Sequence, residues 1–154
     1  MTMLNKQELS ELILKMVPEA TFPEGTQLME VIVPAEKLLA LAEGLKNHKD
    51  TAFDYLISLT AVDFLTQMTM VYHLDSTQFR HLIVLKVVLT DRENPVVDSV
   101  SSVWITAEFH EREVFDLFGI RFNNHPNMKR LFLEDDYGYP LRKDFRDEIN
   151  IIER

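Results

Sequence analysis

Three segments rich in β-branched and aromatic residues, 53–64, 68–74 and 81–89, follow one another with only short turns between them, near Thr66 and across 75–78. Parallel neighbours need a crossover of a dozen or more residues, whereas antiparallel strands are joined by tight turns. No crossover of that length fits between these segments, so the chain is predicted to build a sheet that is at least partly antiparallel. At 154 residues the chain has the length of one domain with a sizeable core, and a single domain over 1–154 is expected.

The flanking segments read as helices that can cover such a sheet. Residues 6–17 place Leu9, Leu12, Ile13 and Met16 at helical spacing, and Pro18 closes the run. After a turn at Pro23-Glu24-Gly25, residues 27–33 are predicted as a strand. Pro34 then opens a helix with the stripe Leu38, Leu41, Ala42 and Leu45, ending near Asn47. Beyond a polar loop over 92–97, Ser101 or Ser102 can cap a further helix to about Phe118, with Gly119 as its left-handed C-cap. From Arg121 onward periodicity is lost. Asn123, Asn124, Pro126, Asn127, Gly138 and Pro140 mark turns in an extended, irregular tail over 121–154.

Composition removes several functions. A 46% apolar and 27% charged chain is globular in type, without a run of roughly 18 apolar residues. Lys6, Glu8, Glu11 and Lys15 occupy the place of a signal peptide's apolar block. A cytosolic chain, free or docked on a membrane complex, is expected. With no cysteine, disulfides, thiolate nucleophiles and the thiolate ligands of iron–sulfur clusters are excluded. A net charge of −9 repels a phosphate backbone, and the four glycines form no phosphate-cradling loop. Neither nucleic acid nor nucleotide is expected as a ligand.

The chemically dense part of the chain is 108–145. On a helix Arg112 lies four residues from both Glu108 and Asp116, so one guanidinium can bridge two carboxylates, each pair worth about 0.3 to 0.5 kcal/mol if exposed. Trp104, Val114, Phe115 and Phe118 give an apolar stripe to seat that helix on the sheet. His110-Glu111 matches the first half of a helical zinc-protease pair, but Val114 stands where the second histidine belongs. His125 precedes Pro126 and reads as a turn histidine bonded to backbone. Lys129, Arg130, Arg142 and Lys143 flank the acidic run Glu134-Asp135-Asp136. Asp63, ending an apolar strand, is a candidate buried capping acid, and His48, His73 and His81 lack metal-like spacing.

The order of motifs in this stretch is specific. Glu111-Arg112-Glu113, then Asp116, two apolar residues and Gly119-Ile120, is followed by His125-Pro126 with Arg130, and finally by Gly138-Tyr139-Pro140-Leu141-Arg142-Lys143-Asp144-Phe145. This succession resembles the C-type subunit of the proton-translocating NADH:quinone oxidoreductases (respiratory complex I), the 30 kDa-type subunit. The resemblance implies an α/β (α+β) two-layer domain with a mixed, largely antiparallel sheet packed against helices and an extended, partner-binding tail over 121–154. It implies a non-redox scaffold that docks the quinone-reducing module against the D-type and B-type subunits of complex I. Iron–sulfur clusters and flavin are then expected only in partner subunits. The location implied is peripheral, on the cytoplasmic face of the inner membrane of a bacterium.

Carried over residue by residue, the resemblance assigns no catalytic, cofactor or metal site. It points to a subunit interface at Glu111, Arg112, Glu113, Asp116, His125, Lys129, Arg130, Arg142, Lys143, Asp144 and Phe145. Arginine forks suit bidentate pairing with carboxylates across such a contact, and Pro140 and Phe145 can anchor an extended backbone in an apolar groove. Two positions depart from the usual pattern: Asp136 stands where many members carry an aromatic, and Tyr139 replaces a histidine. The sequence given ends at Arg154, soon after the last motif, whereas many members continue with a tail along the D-type neighbour. The equivalent subunit of a membrane-bound hydrogenase or ferredoxin-fed oxidoreductase is the alternative. More distant is a stand-alone acid/base enzyme using Glu111, Glu113 or Asp116.

Overall fold

The computed structural model describes residues 3–146. Helix α1 (Lys6–Met16) begins in a capping box, in which the Asn5 side chain accepts the Glu8 N–H and the Glu8 carboxylate accepts the Asn5 N–H, both at 2.9 Å. Strand β1 (Met29–Val33) leads through a 3₁₀ turn at Ala35–Lys37 into α2 (Leu38–Asn47). The meander follows as β2 (Tyr55–Asp63), β3 (Met68–Ser76) and β4 (His81–Leu89). Then come β5 (Val96–Asp98), α3 (Ala107–Phe118) and β6 (Arg121–Asn123).

The main sheet runs β1-β4-β3-β2, parallel between β1 and β4 and antiparallel elsewhere. The mixed, largely antiparallel architecture is therefore as predicted. Register explains the core. Met68, Met70, Tyr72 and Leu74 face Leu89, Val87, Leu85 and Ile83 across β4, and all eight are buried. Leu9 and Ile13 of α1, Leu38, Leu41 and Leu45 of α2, and Val114 and Phe118 of α3 join the same cluster. Between Leu56 and Ser58 the β2 register slips by one residue, a bulge that turns the edge strand. Trp104 Nε1–H donates to the Phe53 carbonyl at 2.9 Å, and the Lys46 ammonium donates to the Val103 carbonyl. These two bonds fix the approach to α3.

Two local expectations are corrected. The polar loop at 92–97 and the start of the tail pair as a short parallel ladder, β5 with β6, in the register Val97 to Phe122. The predicted helix start at Ser101 or Ser102 moves to Ala107, and residues 101–106 form turns. Ser101 is otherwise engaged. Ser99 donates to the Glu111 carboxylate at 2.6 Å and shares a 2.8 Å bond with Ser101, so their hydroxyls serve a buried acid and not a helix end. The left-handed C-cap stands as predicted, with Gly119 at φ 77°.

Candidate functional site

α3 presents two acids to the interior, in different directions. Asp116 is wholly buried, and its carboxylate is filled by the tail: Arg130 Nε at 2.5 Å on one oxygen, the N–H groups of Phe132 at 2.9 Å and Leu133 at 3.2 Å on the other. Burial pushes this carboxyl up, but the Phe132 N–H, Arg130 and the Leu133 N–H together outweigh it and hold it below the ordinary carboxylate range. Arg130 also donates to the Gly138 carbonyl at 2.7 Å. Segment 129–145 is thereby tied to α3 as a strap.

The strap's second half lies over the end of α3. Arg142 Nε donates to the Phe118 carbonyl at 2.6 Å and the Leu141 N–H to the Leu117 carbonyl at 2.9 Å, so strap groups satisfy carbonyls that the helix leaves open. The Tyr139 ring faces both guanidiniums, Arg130 at 5.0 Å and Arg142 at 5.2 Å. Gly119 lies beneath it. A Cβ there would stand 2.7 Å from the Tyr139 ring and 2.9 Å from Arg142. Phe145 stacks on Tyr137 with centroids 5.7 Å apart.

A second clasp goes beyond the sequence reading. Arg92 takes Asp63 in a two-point grip, Nε to one oxygen at 2.8 Å and Nη2 to the other at 2.6 Å, and reaches Asp144 at 2.9 Å. Asp63 further accepts the N–H of Leu65 and of Lys143, each at 2.9 Å. The Arg92 bond, against the opposing effect of burial and with help from the two N–H groups, holds the Asp63 carboxyl well below the ordinary range. The sequence does contain a cue, an acid ending an apolar strand. Its partners lie 29 and 80 residues away, beyond any local rule.

Glu111 is the other inward acid. Wholly buried, it accepts Ser99 Oγ at 2.6 Å and the Val100 N–H at 3.1 Å, with His125 Nε2 at 4.0 Å. Burial pushes its carboxyl up to about 7, against those two hydrogen bonds. His125 Nδ1 accepts the Asn127 N–H at 2.9 Å and Nε2 lies 2.9 Å from the Glu108 carbonyl, which requires the proton on Nε2. His125 is the backbone-bonded turn histidine expected from the sequence.

The structure thus gathers Arg112, Asp116, Arg130, Arg142, Asp144 and Phe145 into contacts within the chain. Arg112 does not bridge Glu108 and Asp116 as expected. It donates to the carbonyls of Lys129 at 3.2 Å and Arg130 at 3.0 Å, because the returning strap offers it acceptors and gives Asp116 a different arginine. Glu113, Lys129 and Lys143 lie at the exposed surface. Among the described residues no cluster of ligating side chains fits a metal ion. Shallow depressions near Pro34 and Pro95, and near Asn5 and Arg80, are lined by none of Glu111, Glu113 and Asp116. Among the described residues no helix is long and apolar enough to cross a membrane.

This fold recurs in a known setting. A chain in the structure of the membrane-bound sulfane sulfur reductase, an archaeal respiratory membrane complex, matches it with a TM-score of 0.78 at 27% identity, over 93% of this chain and 86% of that one. The class is that of subunits of respiratory membrane complexes. More particularly, the family model described as respiratory-chain NADH dehydrogenase, 30 Kd subunit, matches residues 31–149, and the chain belongs to that family, the C-type subunits of complex I. It is 43% identical over 135 residues to the C-type NADH-quinone oxidoreductase subunit of Moorella thermoacetica, covering 86% of this chain and 89% of that protein. It is 49% identical over 120 residues to the C/D-type subunit of Phocaeicola vulgatus, covering 77% of this chain but only 23% of that longer protein.

Proposed function

We propose that this chain is a non-redox scaffold in the peripheral arm of a proton-translocating NADH:quinone oxidoreductase, docking the quinone-reducing module and so supporting electron transfer from NADH to quinone. The observation that carries the reading is the family match over 31–149 together with a relative, named as the C-type subunit alone, matched over 89% of its length. A chain without cysteine cannot hold an iron–sulfur cluster by thiolates, and in this reading the clusters, and the flavin as well, are placed in partner subunits. The D-type and B-type subunits are the partners in this reading, and relatives named C/D favour the D-type as the immediate neighbour. The proposed location is peripheral, on the cytoplasmic face of the inner membrane. Of the residues assigned to the interface from the sequence, Glu113, Lys129 and Lys143 offer their side chains to a partner, while Arg112, Asp116, Arg130, Arg142, Asp144 and Phe145 act by shaping the strap.

Deleting the chain from its host and measuring NADH:quinone reductase activity of the membranes, with native-gel detection of the complex, tests this reading. Loss of both, restored by the wild-type chain, is expected. Undiminished activity and an intact complex without the chain would refute it. The sulfane sulfur reductase match favours a second reading, the equivalent subunit of a related membrane-bound oxidoreductase with another electron donor. Membranes that reduce quinone with ferredoxin but not with NADH would select that reading.

A further inference from the structure

A depression where the start of α1 meets the first residues of β1 and β4 carries a charge opposite to that of the chain. It holds about 260 Å³, with Lys6, Leu9, Met29, Arg80, His81 and Ile83 among its walls. The chain has 25 acids and a net charge of −9, yet none of the residues lining this depression is acidic. Its charged side chains are Lys6 and Arg80, both exposed and without an ion pair among the described residues.

Beneath these cations the ground is apolar apart from one buried polar group. Side chains alternate across β4, so Leu82 is exposed whereas His81 and Ile83 are buried on the side that meets the helices. Leu9, Met29 and Ile83 belong to the apolar core, and the His81 ring lies beside those of Phe53 and Phe79, centroids 6.2 and 6.0 Å away. His81 is only 8% exposed, and its buried Nε2 has no hydrogen-bond partner among the described residues. Native folds pair nearly all such atoms, and one left open in the wall of a depression is one that a bound molecule can serve. Arg80 stands at φ 60°, a left-handed backbone that non-glycine residues occupy at a cost, in a turn closed by its N–H on the Ser76 carbonyl at 2.7 Å. The α1 dipole contributes less than usual, because the Glu8 carboxylate already accepts the Asn5 N–H there. The two side-chain cations outnumber that one acid.

We propose that this depression binds a small monocarboxylate with an apolar body, its carboxylate held by Lys6, Arg80 and the Nε2–H of His81, its hydrocarbon seated on Leu9, Met29 and Ile83. The site is independent of the scaffold reading. Size selects the ligand class. Pockets for drug-sized ligands run from about 300 to 1,000 Å³, so 260 Å³ takes a short acid and not a nucleotide. Charge and floor together select the chemistry. A guanidinium fork beside an ammonium suits a carboxylate, and the apolar ground rewards a hydrocarbon that a bare inorganic anion lacks.

The test titrates the purified, isotope-labelled full chain with octanoate, octan-1-ol and inorganic phosphate, followed by NMR. Octanoate is expected to shift the amides of Leu9, His81 and Ile83 saturably, while octan-1-ol and phosphate bind about tenfold more weakly or not at all. Lys6→Gln with Arg80→Gln should weaken octanoate about tenfold. His81→Phe should weaken it severalfold with no loss of thermal stability, since the substitution removes an unpartnered nitrogen and keeps a ring beside Phe53 and Phe79. No saturable binding up to about 10 mM octanoate would overturn the site. Octan-1-ol or phosphate binding as tightly as octanoate, or unchanged octanoate affinity in either variant, would overturn it equally.

Discussion

Replacing Glu111 by glutamine should change how stability depends on pH more than it changes stability itself. The carboxyl is wholly buried and raised from an ordinary 4.5 to about 7 by that burial. The folded chain therefore holds this proton more tightly than the unfolded chain. At 1.36 kcal/mol per pKa unit, the difference contributes about 3 kcal/mol of stability, present in full below pH 4.5 and lost as pH rises through 7. His81 acts in the opposite sense, since burial lowers its pKa from 6.5 and its contribution is lost as pH falls below that value. Asp63 and Asp116, both lowered, lose theirs only as pH falls through the carboxylate range below 3.8. Glu111→Gln retains a carbonyl for Ser99 or Val100 and leaves His81 in place, so comparing the two proteins at each pH isolates Glu111. Urea unfolding between about pH 5 and pH 8, followed by tryptophan fluorescence, is the assay. The wild type should lose about 2 to 3 kcal/mol relative to the variant across that range. Parallel pH profiles would refute a carboxyl desolvated in the manner described.

Three further outcomes follow from the strap and the core. Arg92→Ala leaves the buried Asp63 without its partner and should cost about 3 kcal/mol or more, with faster amide exchange at Leu141 and Lys143 measured by mass spectrometry. Gly119→Ala places a Cβ against Tyr139 at a φ of 77° and should destabilise by about 1 to 3 kcal/mol in thermal unfolding, whereas Gly25→Ala, also left-handed but with open space around it, should cost less. Trp104 is the sole tryptophan and is buried, so its emission should be blue-shifted when folded and move to the red on unfolding; Trp104→Phe, losing the bond to the Phe53 carbonyl, should cost about 1 to 3 kcal/mol in urea.

The elements legible in the sequence are those whose pattern repeats over enough residues to count. The 81–89 run coincides with β4 (His81–Leu89), α1 matches the predicted 6–17 to within a residue, and α2 ends at Asn47 as predicted but begins at Leu38, after a 3₁₀ turn, and not at Pro34. The β5 and β6 pair escapes because three residues hold no period, and their ladder depends on a neighbour that comes after a helix. Ser101 looks like a cap because sequence shows a hydroxyl but not its destination, here the Ser99 and Glu111 cluster. The same limit governs the site. Helical spacing brings Glu108, Arg112 and Asp116 to one face, but only the fold reveals that a strap returns to that face and supplies carbonyls and Arg130. Arg142 and Phe145 stand out in the motif as chemically important residues, yet their partners, the Phe118 carbonyl and Tyr137, belong to this chain.

In the proposed function this polypeptide serves by being held among other subunits and not by turning over a substrate. Gentle solubilisation of native membranes, capture on a tag carried by this chain, and identification of every retained protein by mass spectrometry test that role directly. D- and B-type subunits should be retained in constant ratio to the chain, with NADH:quinone reductase activity in the captured material. Recovery of the chain alone, with a flavin, a metal cluster or a catalytic turnover of its own, would contradict it.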